Sequence, residues 1–496
     1  MSADYLEVRQ WLELFIPHTW TRKELGLGRI KQLLKLLGNP QNKFKSIHVA
    51  GTSGKGSTAF SIAKLLQESG KSEIRNPKSE TNSNFQNSNH KTFSNFDIRA
   101  SNFPMKVGLH ISPHLVDIRE RMQIFQGQRS KVKGQRYDEN LLPLNHFVGL
   151  FNQIKPIVEN IKATRPDLTP SYFEILVAAS FLYFAQEKVD WAVVEVGLGG
   201  RLDATNVLNP ALTVVTNVGL DHTDILGRTE EKIAFEKAGI IKLNVPIVTG
   251  ASGKALEVLE KVAKEKNALL IKVGTQSSEN ALKSEVFNIN NLPIDIFRST
   301  SYSFAFSNKL LALVAVKTLG IPLGKGQIAK AFGSTFPGRF EEIEKGVILD
   351  GAHNADKVRF LIRLIKEKTT DYRLQTTSVD RRQWTVVLII AFKKGKDWKK
   401  MIDLLIKNLP VSKVIATRFH AVTDMGKHQA VDPKEIAKHV RSVYRLPTTV
   451  YSNSQEAVFE ALKRNNEATK QRNIVLITGS LYLVGEVRTV WYLPEF

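Results

Sequence analysis

The sequence predicts an α/β protein of two domains, each built on a mostly parallel sheet with helices on both faces. Three observations predict it. Short β-branched apolar runs alternate with segments of helical periodicity along most of the chain. The first of these runs empties into a glycine-rich loop, Gly51-Thr-Ser-Gly-Lys-Gly-Ser57, and a helical pattern follows directly. The alternation pauses at Phe336-Pro337-Gly338-Arg339-Phe340 and then restarts, which places a domain boundary there, between residues 1–336 and 337–496.

A chain of 496 residues has room for two or three domains, and 42% hydrophobic with 24% charged residues describes a globular chain with a full core. No apolar run reaches the roughly 18–20 residues that span a bilayer, so no membrane partner is expected. The start, Met1 to Glu7, lacks the basic segment and apolar core of a secretory signal. The absence of cysteine excludes disulfides, thiolate metal sites and thiol catalysis, and fits a cytoplasmic location. A net charge of +22 suits either a nucleic-acid footprint or a basic surface that attracts small polyanions such as ATP and polycarboxylates. The basic residues are spread along the chain and not interleaved with aromatics in one tract, which favours the second reading and no nucleic-acid partner.

In chain order, residues 5–37 read as two short amphipathic helices. The turn Gly26-Leu-Gly28-Arg29 between them either borders a ligand or caps the first helix. Ile47-His48-Val49 reads as a buried strand. The strand, glycine loop and helix then present backbone N–H groups and a helix N-terminus to phosphate oxygens. Lys55 supplies a point charge for the outer phosphates, and Ser57 or Thr58 a hydroxyl near a metal. The loop departs from the strict nucleotide-binding pattern, because Gly56 separates the lysine from the hydroxyl.

Residues 75–104 include 12 Asn or Ser, too little apolar content to fold alone, and read as a disordered or extended surface insertion. Lys106–Ile111 resumes as a strand and ends in Ser112-Pro113-His114-Leu115. Ser112 is thereby placed at the carboxyl edge of a sheet, where ligands gather in open α/β folds. Residues 126–137 form a second soft, basic segment. Tyr172–Gln186 is a strongly apolar helix after the turn Thr169-Pro170-Ser171. Trp191–Val196 is a buried strand carrying Glu195, a carboxylate that needs a metal, a cation or a hydrogen-bond network.

A tight glycine loop, Gly197–Asn206, leads to the strand Ala211–Asn217, which ends at Asp221-His222-Thr223-Asp224. Ser112, Glu195 and His222 thus stand at three successive strand ends, and hard donors beside a phosphate loop suit Mg²⁺. Glu230–Gly239 reads as a helix whose Lys237 is by default a surface lysine. Strands follow at Val245–Val248, Leu269–Val273 and Ser301–Phe306, and helices at 308–319 and 325–332. Beyond the boundary the expected strands are Val347–Leu349, Thr385–Ile390, Lys413–Ala416, Thr448–Tyr451 and Ile474–Ile477. Helices fall between them at 354–367, 397–407, 433–442 and 455–464. Asp350-Gly-Ala-His353-Asn354 leaves the first of these strands, again at the ligand edge.

Eight motifs occur in one order: the glycine loop, Ser112-Pro-His-Leu115, Glu195–Asn206, Asp221-His-Thr223, Glu236-Lys-Ala-Gly-Ile240, Pro337-Gly-Arg339, Asp350–Asn354 and Thr478-Gly-Ser-Leu-Tyr-Leu483. In this the chain resembles, over about residues 45–485, the folylpolyglutamate synthases and bifunctional dihydrofolate synthases of the Mur ligase superfamily. The resemblance implies a Mur-ligase-type P-loop domain that binds ATP, a Rossmann-like second domain that binds glutamate, and a cleft between them. It makes Gly54, Lys55, Gly56 and Ser57 the phosphate cradle, with Asn308, Arg339 and Asp350 as further ATP contacts. Ser112, Glu195 and His222 become Mg²⁺ ligands. Lys237 matches a lysine that family members carbamylate, which reverses its surface default and makes it a fourth. Ser171, Tyr172, Phe173, Leu202, Asp203 and Ala204 fall where bifunctional members hold the pterin, and His353 near the incoming glutamate.

The chain departs from the family pattern in the 75–104 insertion, in Ala355 where proline is common, and in Ser171 where some relatives have threonine. The implied reaction is ATP-dependent addition of L-glutamate to dihydropteroate, to the γ-carboxyl of a folate, or to both. It runs through an acyl phosphate and yields ADP and phosphate, with Lys55, Lys237, Arg339 and His353 at the reacting groups. His353 or a neighbouring carboxylate is the expected base for the amine, and a monomer is expected. The alternatives are a monofunctional folylpolyglutamate synthase and, from the net charge, a basic P-loop ATPase acting on nucleic acid.

Overall fold

The protein is described here from a computed structural model, which covers residues 3–17, 25–70, 72–74, 98–100, 105–126, 140–273, 304–374, 384–423, 426–467 and 473–492. Nearly all of the two soft segments expected at 75–104 and 126–137 lies outside these residues. Within the first, Ile98–Ala100 pairs antiparallel with Ser72–Ile74.

Two sheets organise the chain. The strands of the first are β1 (Lys45–Ala50), β4 (Lys106–His110), β5 (Met122–Gln126), β6 (Trp191–Glu195), β7 (Leu212–Val215), β8 (Ile247–Thr249) and β9 (Leu270–Lys272), with β2 and β3 the hairpin just named. Their order is β5-β4-β6-β1-β7-β8-β9, parallel except for the β4–β5 pair. The second sheet holds β10 (Glu341–Glu344), β11 (Val347–Leu349), β12 (Thr385–Ile390), β13 (Val411–Ala416), β16 (Thr448–Val450) and β17 (Asn473–Thr478). Its order is β10-β11-β17-β12-β13-β16, parallel except for β10–β11, and β14 (Ala421–Thr423) with β15 (Gly426–His428) forms a separate hairpin.

The strands are apolar on both faces because both faces are covered. Along β6, Ala192 and Val194 join one core while Trp191 and Val193 join the other, the two-residue alternation of a pleated strand. The first core is closed by the helices Leu144–Thr164 and Tyr172–Gln186, the second by Lys55–Ser69 and Phe304–Thr318. The second sheet repeats the pattern, with Ile348 and Leu476 facing one way and Leu349 and Ile477 the other.

Three expectations change. Phe304 to Phe306 open the helix Phe304–Thr318 and do not end a strand; a short apolar run fits either state, and the helical segment after it decides. The antiparallel edge strands β5 and β10 and the helix Leu144–Thr164 were not foreseen. The turn at Gly26–Arg29 begins the helix Gly28–Leu36 and does not cap the one before it.

Register positions the site. Val49 pairs with Glu195, Ala50 with Val215, and His110 with Val194, so β4, β6, β1 and β7 end level with one another. The loops after them all leave from one edge. That edge faces the corresponding edge of the second sheet, where β11, β17 and β12 end side by side.

Candidate active site

Between the two carboxyl edges lies a cavity of about 350 Å³, walled by both halves of the chain. Its floor is the glycine loop. The helix Lys55–Ser69 starts from Gly54 at φ 78°, and no side chain caps its first N–H groups. A Cβ on Gly54 would stand 2.3 Å from Asn308 Oδ1, so only glycine fits both the left-handed backbone and the close approach. The loop is pinned from β7: Ser53 N–H donates to Asn217 Oδ1 at 3.0 Å, and Thr52 Oγ1 donates to the Gly219 carbonyl at 3.1 Å. Uncapped N–H groups, a helix N-terminus and Lys55 on the cavity wall make a fit for phosphate oxygens.

Ser112, Glu195 and His222 line the same cavity. Glu195 is buried at the end of β6, and its Oε2 accepts the Ser112 backbone N–H at 3.1 Å. Burial pushes its carboxyl upward, with Lys55 the strongest opposing influence, so a divalent cation suits its position. His222 adopts φ 50°, unusual for a non-glycine residue, at the exposed lip of the cavity. Among the described residues no three His, Asp or Glu side chains are placed to hold a metal by themselves. A site built on Glu195 and His222 therefore needs the Ser112 hydroxyl and a further donor.

Lys237 is not on the surface. It is buried beneath the loop, where its Nζ donates to the Gly51 carbonyl at 2.9 Å. Burial, then the nearby Lys55, pushes its ammonium down to about 7. Asn308 and Asp350 also lie behind the cavity wall. Asn308 accepts from Thr58 Oγ1 at 3.3 Å, and Asp350 accepts the N–H groups of Phe340 at 2.8 Å and Ala352 at 2.9 Å. Asn308 thereby ties two helices together, and Asp350 holds its own loop and the turn at Phe340.

Ser171, Phe173, Leu202, Asp203 and Ala204 line one end of the cavity, and Tyr172 does not. At about 100° per residue, Tyr172 turns into the core. Glu174 takes its place on the wall, a residue the sequence reading passed over. Glu174 Oε2 accepts Ser171 N–H at 2.7 Å, Ser171 Oγ at 2.9 Å and Arg29 Nε at 2.9 Å. Leu25 and Gly26, from the turn before Arg29, complete this end. Asp203 is occupied by its own loop, accepting Leu198 N–H at 2.8 Å and Thr205 Oγ1 at 2.5 Å.

The facing wall is basic. Arg339, Lys357, Lys393 and Lys396 line it together with His353, and among the described residues no carboxylate from the second half joins them. His353 donates Nδ1–H to the Gly351 carbonyl at 2.8 Å, and its Nε2 accepts from Lys357 Nζ at 2.9 Å. Burial and then Lys357 push the imidazole down to about 3. In this arrangement the lone pair of the neutral ring is engaged by Lys357. The three lysines were missed, although Lys393-Lys394-Gly395-Lys396 leaves β12 at the ligand edge, a signal the sequence did carry.

Comparison with known proteins follows the same lines. Residues 154–316 match the model of the Mur ligase middle domain, and residues 339–490 that of the dihydrofolate synthetase C-terminal domain. The chain is similar to the dihydrofolate synthase/folylpolyglutamate synthase of Bacillus subtilis, at 32% identity over 98% of this chain and 99% of that one. It is similar to the dihydrofolate synthetase of Saccharomyces cerevisiae at 27% identity, covering 94% and 97%. Among solved structures, folylpolyglutamate synthase from Thermotoga maritima superposes with a TM-score of 0.68 at 27% identity, covering 98% and 96%. The Mycobacterium tuberculosis folylpolyglutamate synthase, solved with ADP and AMPPCP, gives 0.71 at 25% identity, covering 99% and 98%. With its two-sheet architecture and its cavity between strand edges, the chain belongs to the dihydrofolate synthase/folylpolyglutamate synthase family of Mur-type ligases.

Proposed function

We propose that this chain joins L-glutamate to dihydropteroate, to the γ-carboxyl of a reduced folate, or to both, converting ATP to ADP and phosphate. The observation that carries the reading is the meeting, in one cavity, of the uncapped glycine loop, the buried Glu195 and a wall of cations. On this reading residues 1–336 hold ATP and the pterin, and residues 337–496 hold glutamate. On the same reading the protein works as a monomer. The reading calls for no nucleic acid, and the chain's lack of cysteine suits a cytoplasmic setting. Among the described residues no helix is long and apolar enough to cross a membrane.

A carboxylate does not condense with an amine at neutral pH, because its oxygen is a poor leaving group. Transfer of the γ-phosphoryl group to that oxygen gives an acyl phosphate. The amine then attacks the carbon, phosphate leaves with the C–O bond electrons, and the amine proton is released. Such transfer depends on positioning and charge neutralisation. Gly54 to Ser57 would hold the phosphates, while Lys55 and Arg339 neutralise their charge. Ser112, Glu195, His222 and Lys237, if carbamylated, would hold Mg²⁺, which when bound supplies further charge neutralisation. Phe173, Leu202 and Ala204 offer an apolar seat for a flat ring, with Glu174 fixed by Arg29 at its rim.

ADP release by the purified protein, compared with dihydropteroate and with tetrahydrofolate at fixed ATP and glutamate, separates the substrate choices. Lys55→Ala should lower the glutamate-dependent rate at least about 100-fold, the scale of losing one charge stabiliser at a reacting phosphate. Near-wild-type turnover in that variant would reject the cradle assignment.

A further inference from the structure

Among the described residues, all the carboxylates on the cavity wall come from the first half, and all its cations but Lys55 from the second. Glu174, Glu195, Asp203 and Asp221 line it from the first half, while Arg339, Lys357, Lys393 and Lys396 line it from the second. Arg339 and Lys55 face the phosphate end on the reading above. Lys357 shares the wall with Arg339, in the first turn of the helix Ala355–Leu374, one helical turn after His353. Its ammonium donates a hydrogen bond to the His353 imidazole, at Nε2, at 2.9 Å. The charges it feels most strongly after its own burial are those of Arg339, repulsive, and Asp221, attractive, ahead of Lys55 and Lys396. A half-buried ammonium whose hydrogen bond goes to a neutral ring is an ammonium placed for an anion.

Of the reactants, ATP has the glycine loop and Arg339, and the pterin end offers apolar side chains with the carboxylates Glu174 and Asp203 and, among the described residues, no lining cation. The incoming amino acid brings two carboxylates and must present its amine toward the first half. Resting on the proposed ligase reading, we infer that Lys357 is a specificity-determining residue for the incoming amino acid, pairing its ammonium with that substrate's side-chain carboxylate. His353, fixed through Gly351, holds the lysine head in place until the carboxylate arrives. No bond is made or broken at Lys357; it orients the dicarboxylate and selects it over neutral amino acids.

The test uses the full chain carrying Lys357→Met, which keeps the stem and removes the charge, and Lys357→Arg, which restores it. ADP release is measured against L-glutamate and L-glutamine at saturating ATP and pterin acid. Lys357→Met should raise KM for glutamate by about 10- to 100-fold, the worth of a charge-assisted hydrogen bond, with kcat within about threefold. The preference for glutamate over glutamine should fall by the same factor, and Lys357→Arg should recover part of it. An unchanged KM for glutamate overturns the inference. So does a loss that falls instead in KM for ATP or in kcat. Unaltered ADP affinity and unfolding temperature in Lys357→Met exclude misfolding as the cause. If the wild-type chain shows no glutamate-dependent ADP release, the ligase reading itself fails.

Discussion

His48 shows how much a single buried side chain can impose. It lies in the middle of β1, and its Nε2 is 2.8 Å from Thr205 Oγ1, whose own hydroxyl donates to Asp203 at 2.5 Å. The threonine oxygen therefore accepts from Nε2–H, and Nδ1 is left buried with no partner among the described residues. Burial pushes this imidazole down to about 3. The unfolded chain binds a proton below about 6.5 and the folded one does not until near 3, so stability falls as pH drops through that window. At pH 5 this one residue should remove about 2 kcal/mol relative to pH 7. Urea unfolding of wild type and His48→Gln across pH 5–7 checks it: the variant should show a shallower slope, and equal slopes would refute the assignment. Lys237 makes the complementary point. Its residue type suggested the surface, and only the family pattern placed it inside, where it is found.

At the scale of elements, the glycine loop and the helix behind it act as one part. Gly54→Ala places a methyl group against Asn308 Oδ1 and asks alanine to hold a left-handed backbone. We expect KM for ATP to rise at least about tenfold, a cost of about 1.4 kcal/mol. The double variant Gly54→Ala/Asn308→Ala should recover part of the loss, because the clash is with that side chain and the backbone strain is separate. Non-additivity in steady-state kinetics reads this directly. Most strands and helices of the parallel sheets were legible, because strands covered on both faces are nearly continuous apolar runs. The antiparallel edge strands β5 and β10 were not, although the parallel edges β9 and β16 were. β10 carries a mixed pattern, seen in the alternating exposure of Glu341–Glu344, and it resembles a loop in sequence.

For the molecule as a whole, the two halves meet through Leu115. It follows Ser112-Pro113-His114 out of β4 and packs against the core of the second sheet. A Cβ on Gly485 would stand 2.0 Å from the Leu115 carbonyl oxygen, so the helix Leu481–Arg488 approaches the first half at backbone distance. Gly485→Ala must push that backbone away and with it the loop carrying Ser112. The expected outcome is a loss of glutamate-dependent ADP release of at least about tenfold with ADP binding nearly kept, since the glycine loop lies in the first half alone. Calorimetric titration with ADP beside the rate assay separates the two; equal loss of both would contradict this view of the contact.

Local pattern was enough for the fold class, the glycine loop, and the placing of Ser112, Glu195 and His222 at one sheet edge. These follow from period, loop chemistry and chain direction, which are properties of neighbouring residues. The structure alone decided that Tyr172 faces the core while Glu174 faces the cavity, that His353 bonds both Gly351 and Lys357, and that Lys357 joins Lys393 and Lys396 in one wall. Each of those depends on which surfaces two sheets, joined through Leu115 and Gly485, turn toward each other. Residues far apart in the chain fix that orientation, and no local spacing encodes it.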